Sequence, residues 1–163
     1  MTAIVFALGP GGARLDPDSP RAAPTTGFEW WHVDANDPDA AESLDALELP
    51  PFAVDAMLAQ TTRPFARIEA DAVLTILRGV NLNDGADPED MISIRVHAKA
   101  NRVVTCTLRR LRALEDCRAG MEAGRVNGPG ALLALLARRL GERMEGTLSA
   151  LLETVTDLEE QIL

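Results

Sequence analysis

The sequence predicts an α/β protein: a mixed sheet sandwiched between helices (α/β/α), ending in one long C-terminal helix. Two observations carry this prediction. Apolar, β-branched segments and segments with helical spacing follow in the order strand, strand, two helices, four strands, two helices. The last 34 residues, from Gly130 onwards, contain no proline and keep a single apolar stripe.

The first half of the chain predicts two strands and then two short helices. The run AIVFAL, bounded by Gly-Pro-Gly-Gly, predicts a buried strand. FEWWHVD predicts a second strand, with Trp30 and Trp31 on opposite faces. Asp37 is a suitable N-cap for a helix over NDPDAAESLDAL, and Pro38 suits its first position. A proline also begins the helix predicted over LPPFAVDAMLAQ.

The second half predicts two hairpins and a helix before the final one. RPFARIEA and AVLTILRGVNL are expected to pair about a turn near Asp71. MISIRVHAKANRVVTCTL is expected to fold back near Ala100 and Asn101. RRLRALEDCRAGMEAG has apolar residues at helical spacing, and Gly124 is expected to end that helix.

The final helix is predicted to be on the order of 50 Å long, so part of it should project from a small domain. Its apolar residues recur every three or four positions from Leu133 to Ile162. Two interpretations of this stripe remain open: a helix folded back across its own sheet, or a stalk whose far half packs on copies of itself. The stripe runs on without a helix-ending signal, which favours the stalk and a longer chain. We therefore expect a domain over residues 1–127 and the start of a stalk helix over 128–163.

Composition excludes several classes of protein. The net charge is −9 and the pI about 4.7, which disfavours nucleic-acid binding. No run of apolar residues is long enough to span a bilayer, and the N-terminus lacks the basic residues of a signal peptide. Cys106 and Cys117 form no CxxC motif, which favours a reducing compartment and two buried thiols.

The sequence contains only weak matches to catalytic or ligand-binding motifs. The GPGG segment at Gly9 lacks the Gly-Lys-Ser/Thr of a phosphate loop and predicts a turn. The acidic run from Asp34 lacks the glycine of a calcium loop. His32 and Asp34 point to the same side of one strand and could begin a metal site, but a structural histidine is favoured because no third ligand is evident. His97 alternates with Val96 and is expected to face outward. We therefore predict no catalytic, cofactor-binding or metal-ligating residue and no enzyme.

Four stretches together are similar to a known family. FEWWHVDANDPDAA, TRP at Thr62–Pro64, LRGVNLNDGADPEDMISIRV and TLRRLRALEDCRAGMEAG resemble the cytoplasmic domain of CorA-like divalent-cation transporters, and most closely the ZntB branch linked to zinc. This resemblance extends over nearly the whole chain. It implies an α/β/α sandwich whose last helix is a long stalk leading into the first of two transmembrane helices.

The resemblance also implies an assembly and a function. Five subunits would surround a central pore and form a funnel on the cytoplasmic side of the bacterial inner membrane. This part would serve assembly and gating, the cargo being a divalent cation, zinc or magnesium, and the missing C-terminal helices would hold it to the membrane. Contacts between copies are expected at the apolar positions of the far half of the stalk: Leu148, Leu151, Val155, Leu158 and Ile162. The alternative is a stand-alone soluble binding module that docks partners through its long amphipathic helix.

Overall fold

In the described part of the chain, six strands and four α-helices follow one another in the predicted order. The computed structural model describes residues 3–18 and 23–162, except the side chains of Gln161 and Ile162. The strands within these residues are β1 Ile4–Leu8, β2 Glu29–Asp34, β3 Phe65–Glu69, β4 Ala72–Gly79, β5 Ile92–Ala98 and β6 Arg102–Thr107. The helices are α1 Ala40–Ala46, α2 Pro51–Leu58, α3 Arg112–Glu122 and α4 Pro129–Ile162.

The strands form one mixed sheet in the order β1-β2-β6-β5-β4-β3. The central strands β2 and β6 are parallel, with Trp31 opposite Val104, and the other neighbouring pairs are antiparallel. Helices α3 and α4 pack on one face and α1 and α2 on the other. The predicted α/β/α fold with a long C-terminal helix is therefore confirmed.

Each face of the sheet has its own hydrophobic core, and the two adjacent tryptophans divide between them. Trp30 packs edge-on against Phe6, with ring centroids 4.8 Å apart, in the core beneath α3 and α4. Trp31 lies in the core beneath α1 and α2. Both indoles are buried. The alternation of side chains along β2 produces this division, as predicted.

The predicted turns and the end of α3 are also observed. Ala70 connects β3 to β4 with a positive φ of 52°, and Lys99 N–H donates to the Arg102 carbonyl between β5 and β6. Gly124 adopts a φ of 68° after α3, and its N–H donates to the Met121 carbonyl. This left-handed conformation ends the helix at little cost because glycine has no Cβ.

Two local predictions are wrong. Asp37 does not cap α1, which begins at Ala40; its carboxylate instead accepts the N–H of Asp39 in the preceding turn. His97 does not face solvent: it is only 3% exposed. Alternation does put His97 on the face opposite Val96, but that face is covered by the segment that links α1 to α2, with Leu47 and Leu49 near the histidine.

Candidate functional site

The C-terminal half of α4 presents an apolar face to solvent. Helix α4 has 34 residues, about 51 Å at 1.5 Å per residue. Leu132, Leu136 and Leu140 in its first half are buried. Beyond Leu140 no described side chain of α4 is buried. The exposed fractions there range from 39% to 60% for the six large apolar side chains, which are Met144, Leu148, Leu151, Leu152, Val155 and Leu158. We call these six residues the apolar stripe.

The first half of α4 is held to the body of the protein by close contacts. A Cβ on Gly79 would lie 2.6 Å from Leu140 Cδ2, so the helix packs closely on the end of β4, and a larger residue there would force the Leu140 side chain to shift. One turn further on, Arg143 donates to the Asp116 carboxylate of α3 at 2.6 Å. The apolar stripe begins directly after this ion pair. The direction in which the projecting half of α4 leaves the body is therefore determined by contacts with the sheet and with α3.

Charge on the projecting half is of one sign. Between residues 144 and 160 the sequence has five acidic residues and no basic one: Glu145, Glu153, Asp157, Glu159 and Glu160. All five acidic side chains are exposed. By contrast, Glu142 in the first half of α4 is paired with two bases, since Arg138 and Arg139 each donate to its carboxylate at 2.7 Å. The projecting half is thus an apolar face beside an acidic one.

Four of the five predicted contact residues lie on the apolar stripe. Leu148, Leu151, Val155 and Leu158 are 45% to 56% exposed, and no other element among the described residues buries them. Ile162 ends α4, and its side chain lies outside the described part. The first interpretation of the stripe, a helix buried along its length against its own sheet, is wrong for these four residues. Their role between copies stays a prediction.

His32 and Asp34 lie beside a cleft of about 310 Å³ at the carboxyl ends of the parallel strands β2 and β6. Phe6 and Thr107 border this cleft, and Arg118 of α3 lies over the Phe6 ring at 5.1 Å. Chain connections leave β2 and β6 toward opposite faces, and such a position commonly forms a crevice in α/β sheets.

Burial keeps His32 neutral, and its hydrogen bonds indicate which ring nitrogen carries the proton. Thr105 Oγ1 accepts the Trp30 Nε1 proton at 2.9 Å and donates its own to the Trp31 carbonyl at 3.3 Å. We therefore assign the proton between His32 Nδ1 and Thr105 Oγ1, 3.0 Å apart, to the histidine. Burial lowers the pKa of His32 to about 4, although Thr105 and Asp34 oppose that shift. The contacts of His32 are those of a structural histidine.

Other residues considered from the sequence remain apart from one another. Cys106 and Cys117 lie in different cores, and burial raises the pKa of each thiol to about 12, so both are protonated at neutral pH. Gly9–Gly12 forms a turn with one short 3-10 segment. Among residues 3–18 and 23–162, no three His, Cys, Asp or Glu side chains are arranged to hold a metal ion.

Sequence reasoning missed two buried arginines on the face beneath α1 and α2. Arg102 donates to Glu29 Oε2 at 3.1 Å, and Trp31 Nε1 donates to the same oxygen at 3.0 Å. Arg95 is also buried and donates to the carbonyls of Ala59 and Ser93. The sequence did contain a signal for buried arginines, because Arg95 in SIRV and Arg102 in NRVV each lie within or beside an apolar strand segment. Which of them has an acidic partner depends on strand pairing.

No helix in the described part of the chain combines the length and the apolar content needed to cross a bilayer.

Comparison with known proteins identifies relatives over most of the chain. The divalent cation transporter CmaX of Pseudomonas aeruginosa is 39% identical over 138 residues, which cover 82% of this chain and 41% of CmaX. The zinc transport protein ZntB of Vibrio parahaemolyticus is 31% identical over 129 residues, covering 78% of this chain and 40% of ZntB. The chain thus spans about two fifths of the length of the curated relatives it matches.

Solved structures share the fold. Full-length CmaX superposes with a TM-score of 0.87 at 34% identity, covering 96% of this chain and 51% of CmaX. The ZntB cytoplasmic domain from Vibrio parahaemolyticus gives 0.85 at 24% identity, covering 96% of this chain and 65% of that one. The soluble domain of CorA from Methanocaldococcus jannaschii gives 0.73 at 15% identity, covering 99% and 65%. The last two likenesses concern the fold alone.

The family model described as CorA-like Mg2+ transporter protein matches residues 25–163. This range includes all four stretches on which the resemblance was based. Together with the CmaX relative, the match shows that the chain belongs to the CorA-like Mg2+ transporter protein family.

Proposed function

We propose that this chain is the cytoplasmic domain of a divalent-cation transporter, in which the apolar stripe of α4 packs against the same stripe of other copies. The complete protein is an assembly of five around a pore, at the cytoplasmic side of the bacterial inner membrane. The domain serves assembly and gating, and the cargo is zinc or magnesium. The observation that carries this proposal is the apolar stripe, which projects from a body whose own cores are closed.

The energetics favour self-association of the stripe but limit its strength. Burying the exposed half of one leucine is worth about 1 kcal/mol, so six side chains supply about 6 kcal/mol per copy. Association costs at least about 4 kcal/mol in lost freedom of motion. The stripe alone therefore supports weak association, and the membrane part has to supply the rest. The exposed acids beside the stripe repel one another without counterions, which also weakens contact and attracts cations.

Family membership and length support the transport role. CmaX is described as a divalent cation transporter and ZntB as a zinc transport protein. Each is more than twice as long as the segment that matches this chain. We expect the reading frame beyond Leu163 to encode two hydrophobic segments separated by a loop similar to Gly-Met-Asn. A stop codon directly after Leu163 would contradict the transporter proposal and favour a stand-alone binding module.

Self-association through the stripe can be measured on this chain directly. Sedimentation from micromolar to millimolar concentration is expected to show a reversible increase in mass. Leu151→Glu introduces a charge in the middle of the stripe and should abolish that increase. Ala150→Glu introduces the same charge about 100° away around the helix and should leave association much less affected.

Two results would contradict the packing part of the proposal. One is a mass that stays monomeric at millimolar concentration. The other is equal association in the Leu151→Glu variant and the unmodified chain. Neither result bears on the transport role, which the reading frame and zinc or magnesium uptake by the full-length protein test separately.

A further inference from the structure

A small cleft of about 180 Å³ lies beside the end of α2, on the opposite face of the sheet from α4. Three of the stretches that carry the family resemblance meet there. Thr62 comes from TRP, Arg78 and Arg95 from LRGVNLNDGADPEDMISIRV, and Arg109 from the segment before α3. The described residues that line the cleft include these three arginines and no carboxylate.

Arg95 is a buried cation without an acidic partner. Its side chain is 1% exposed, and it donates to two carbonyl oxygens, those of Ala59 and Ser93. Its Nε has no hydrogen-bond partner, and no carboxylate of the described residues forms an ion pair with it. Burial lowers the pKa of the guanidinium, but an arginine stays charged at neutral pH. An uncompensated buried charge is costly, and an anion would offset that cost.

Arg102, on the same face of the sheet, is the informative comparison. It is as buried as Arg95 but pairs with the Glu29 carboxylate at 3.1 Å. The chain has 25 acidic residues and 16 basic ones, so acids are not scarce. Of the three arginines at the cleft, Arg109 pairs with Asp90, but Arg78 and Arg95 have no acidic partner among the described residues, which points to a negative charge supplied from outside.

The neighbouring groups are suited to an oxyanion. Arg78 is exposed and donates to the Thr62 carbonyl from one Nη, which leaves its other N–H groups available. Thr62 Oγ1 donates to Ser93 Oγ at 2.8 Å, so Ser93 keeps its own proton to donate. Arg109, at the rim, is already bound by both oxygens of Asp90 and contributes less. The forked guanidinium matches two oxygens of a phosphate or sulfate.

We propose that this cleft binds a free phosphate-type oxyanion, held by Arg78 and Arg95 with the Ser93 hydroxyl as a further donor. The volume suits an anion of that size, and a nucleoside would have to lie outside it. The proposal does not depend on the transport role, because it rests on side chains within one copy of the chain.

Calorimetric titration of this chain with inorganic phosphate, at constant ionic strength, tests the proposal. We expect one saturable site per chain. Arg78→Gln and Arg95→Met should each weaken binding about ten-fold, the effect of losing one charge-assisted contact of about 1.4 kcal/mol. Arg63→Gln is the matched control: Arg63 is exposed and close in sequence but does not line the cleft, so binding should not change.

Circular dichroism checks the fold of each variant, because Arg95 also holds the chain at the end of α2. If Arg95→Met fails to fold, the exposed Arg78→Gln alone decides. Absence of saturable phosphate binding, or unchanged binding in Arg78→Gln, would overturn the proposal. Chloride binding as tight as phosphate binding would overturn the oxyanion assignment, and ADP binding tighter than phosphate would overturn the assignment to a free anion.

Discussion

Burial of His32 has a measurable consequence for folding. Because burial lowers its pKa from 6.5 to about 4, the unfolded chain takes up a proton at a pH where the folded chain does not. Stability from this residue is complete above about pH 6.5 and is lost as the pH falls toward 4, at about 1.4 kcal/mol per pH unit. Below that range both states are protonated and the loss stops.

We therefore predict a pH-dependent difference between the unmodified chain and a His32→Asn variant. Between about pH 6.5 and pH 5, His32 should account for a loss of about 2 kcal/mol in the free energy of unfolding. Urea titrations followed by tryptophan fluorescence measure it. His97, whose pKa burial also lowers, contributes equally to both proteins and cancels in the difference. Equal losses in the two proteins would contradict the prediction.

Single residues also mark where sequence reasoning reached its limit. Alternation along a strand correctly put Trp30 opposite Trp31 and His97 opposite Val96, because side-chain direction is a local property. It gave the wrong exposure for His97, because exposure depends on what covers the face. That cover comes from residues near Leu47, about 50 positions away in sequence.

Among the elements, α4 combines two environments within one apolar pattern. Its leucines have the same spacing throughout, yet Leu136 is 2% exposed and Leu151 is 45% exposed. The pattern predicted the helix, and the length of that helix predicted a projecting part. It did not predict the residue at which α4 leaves the body, because Gly79 and Asp116 determine that position from other elements.

Matched substitutions in α4 should separate these environments. Leu136→Ala leaves a cavity in the core and is expected to lower the free energy of unfolding by about 3 kcal/mol. Leu151→Ala removes only exposed surface and should change it by less than about 0.5 kcal/mol in dilute solution. Urea unfolding at low protein concentration checks both. A large loss for Leu151→Ala under those conditions would mean that the stripe is covered within the monomer.

On the scale of the whole molecule, the elements and the two hairpins were predictable from local pattern, and the order of strands in the sheet was not. The order of strands and helices followed from apolar spacing and turn residues. The parallel pairing of β2 with β6 joins segments about 70 residues apart, and no local pattern specifies it. The clefts at His32 and at Arg95 both depend on the sheet order, which explains why the sequence indicated only the pair His32 and Asp34 at the first cleft and no site at the second.

Both hydrophobic cores lie on the sheet, so the stability of the molecule should not depend on the projecting half of α4. We predict that a chain ending at Gly146 keeps the free energy of unfolding within about 0.5 kcal/mol, since Arg143 still pairs with Asp116. The removed segment is a helix of marginal stability by itself. Urea unfolding of the shortened chain provides the measurement, and a loss of several kcal/mol would contradict the separation into body and stalk at this position.

The contacts of Leu140 with Gly79 and of Arg143 with Asp116 make α4 a lever arm. About 33 Å of helix extends from Leu140 to Ile162. A rotation of the sheet by about 5° therefore displaces the far end by about 3 Å, roughly half a helical turn. Small movements at the body, including any that follow binding of a ligand, are magnified at the tip because α4 is one continuous helix over this length.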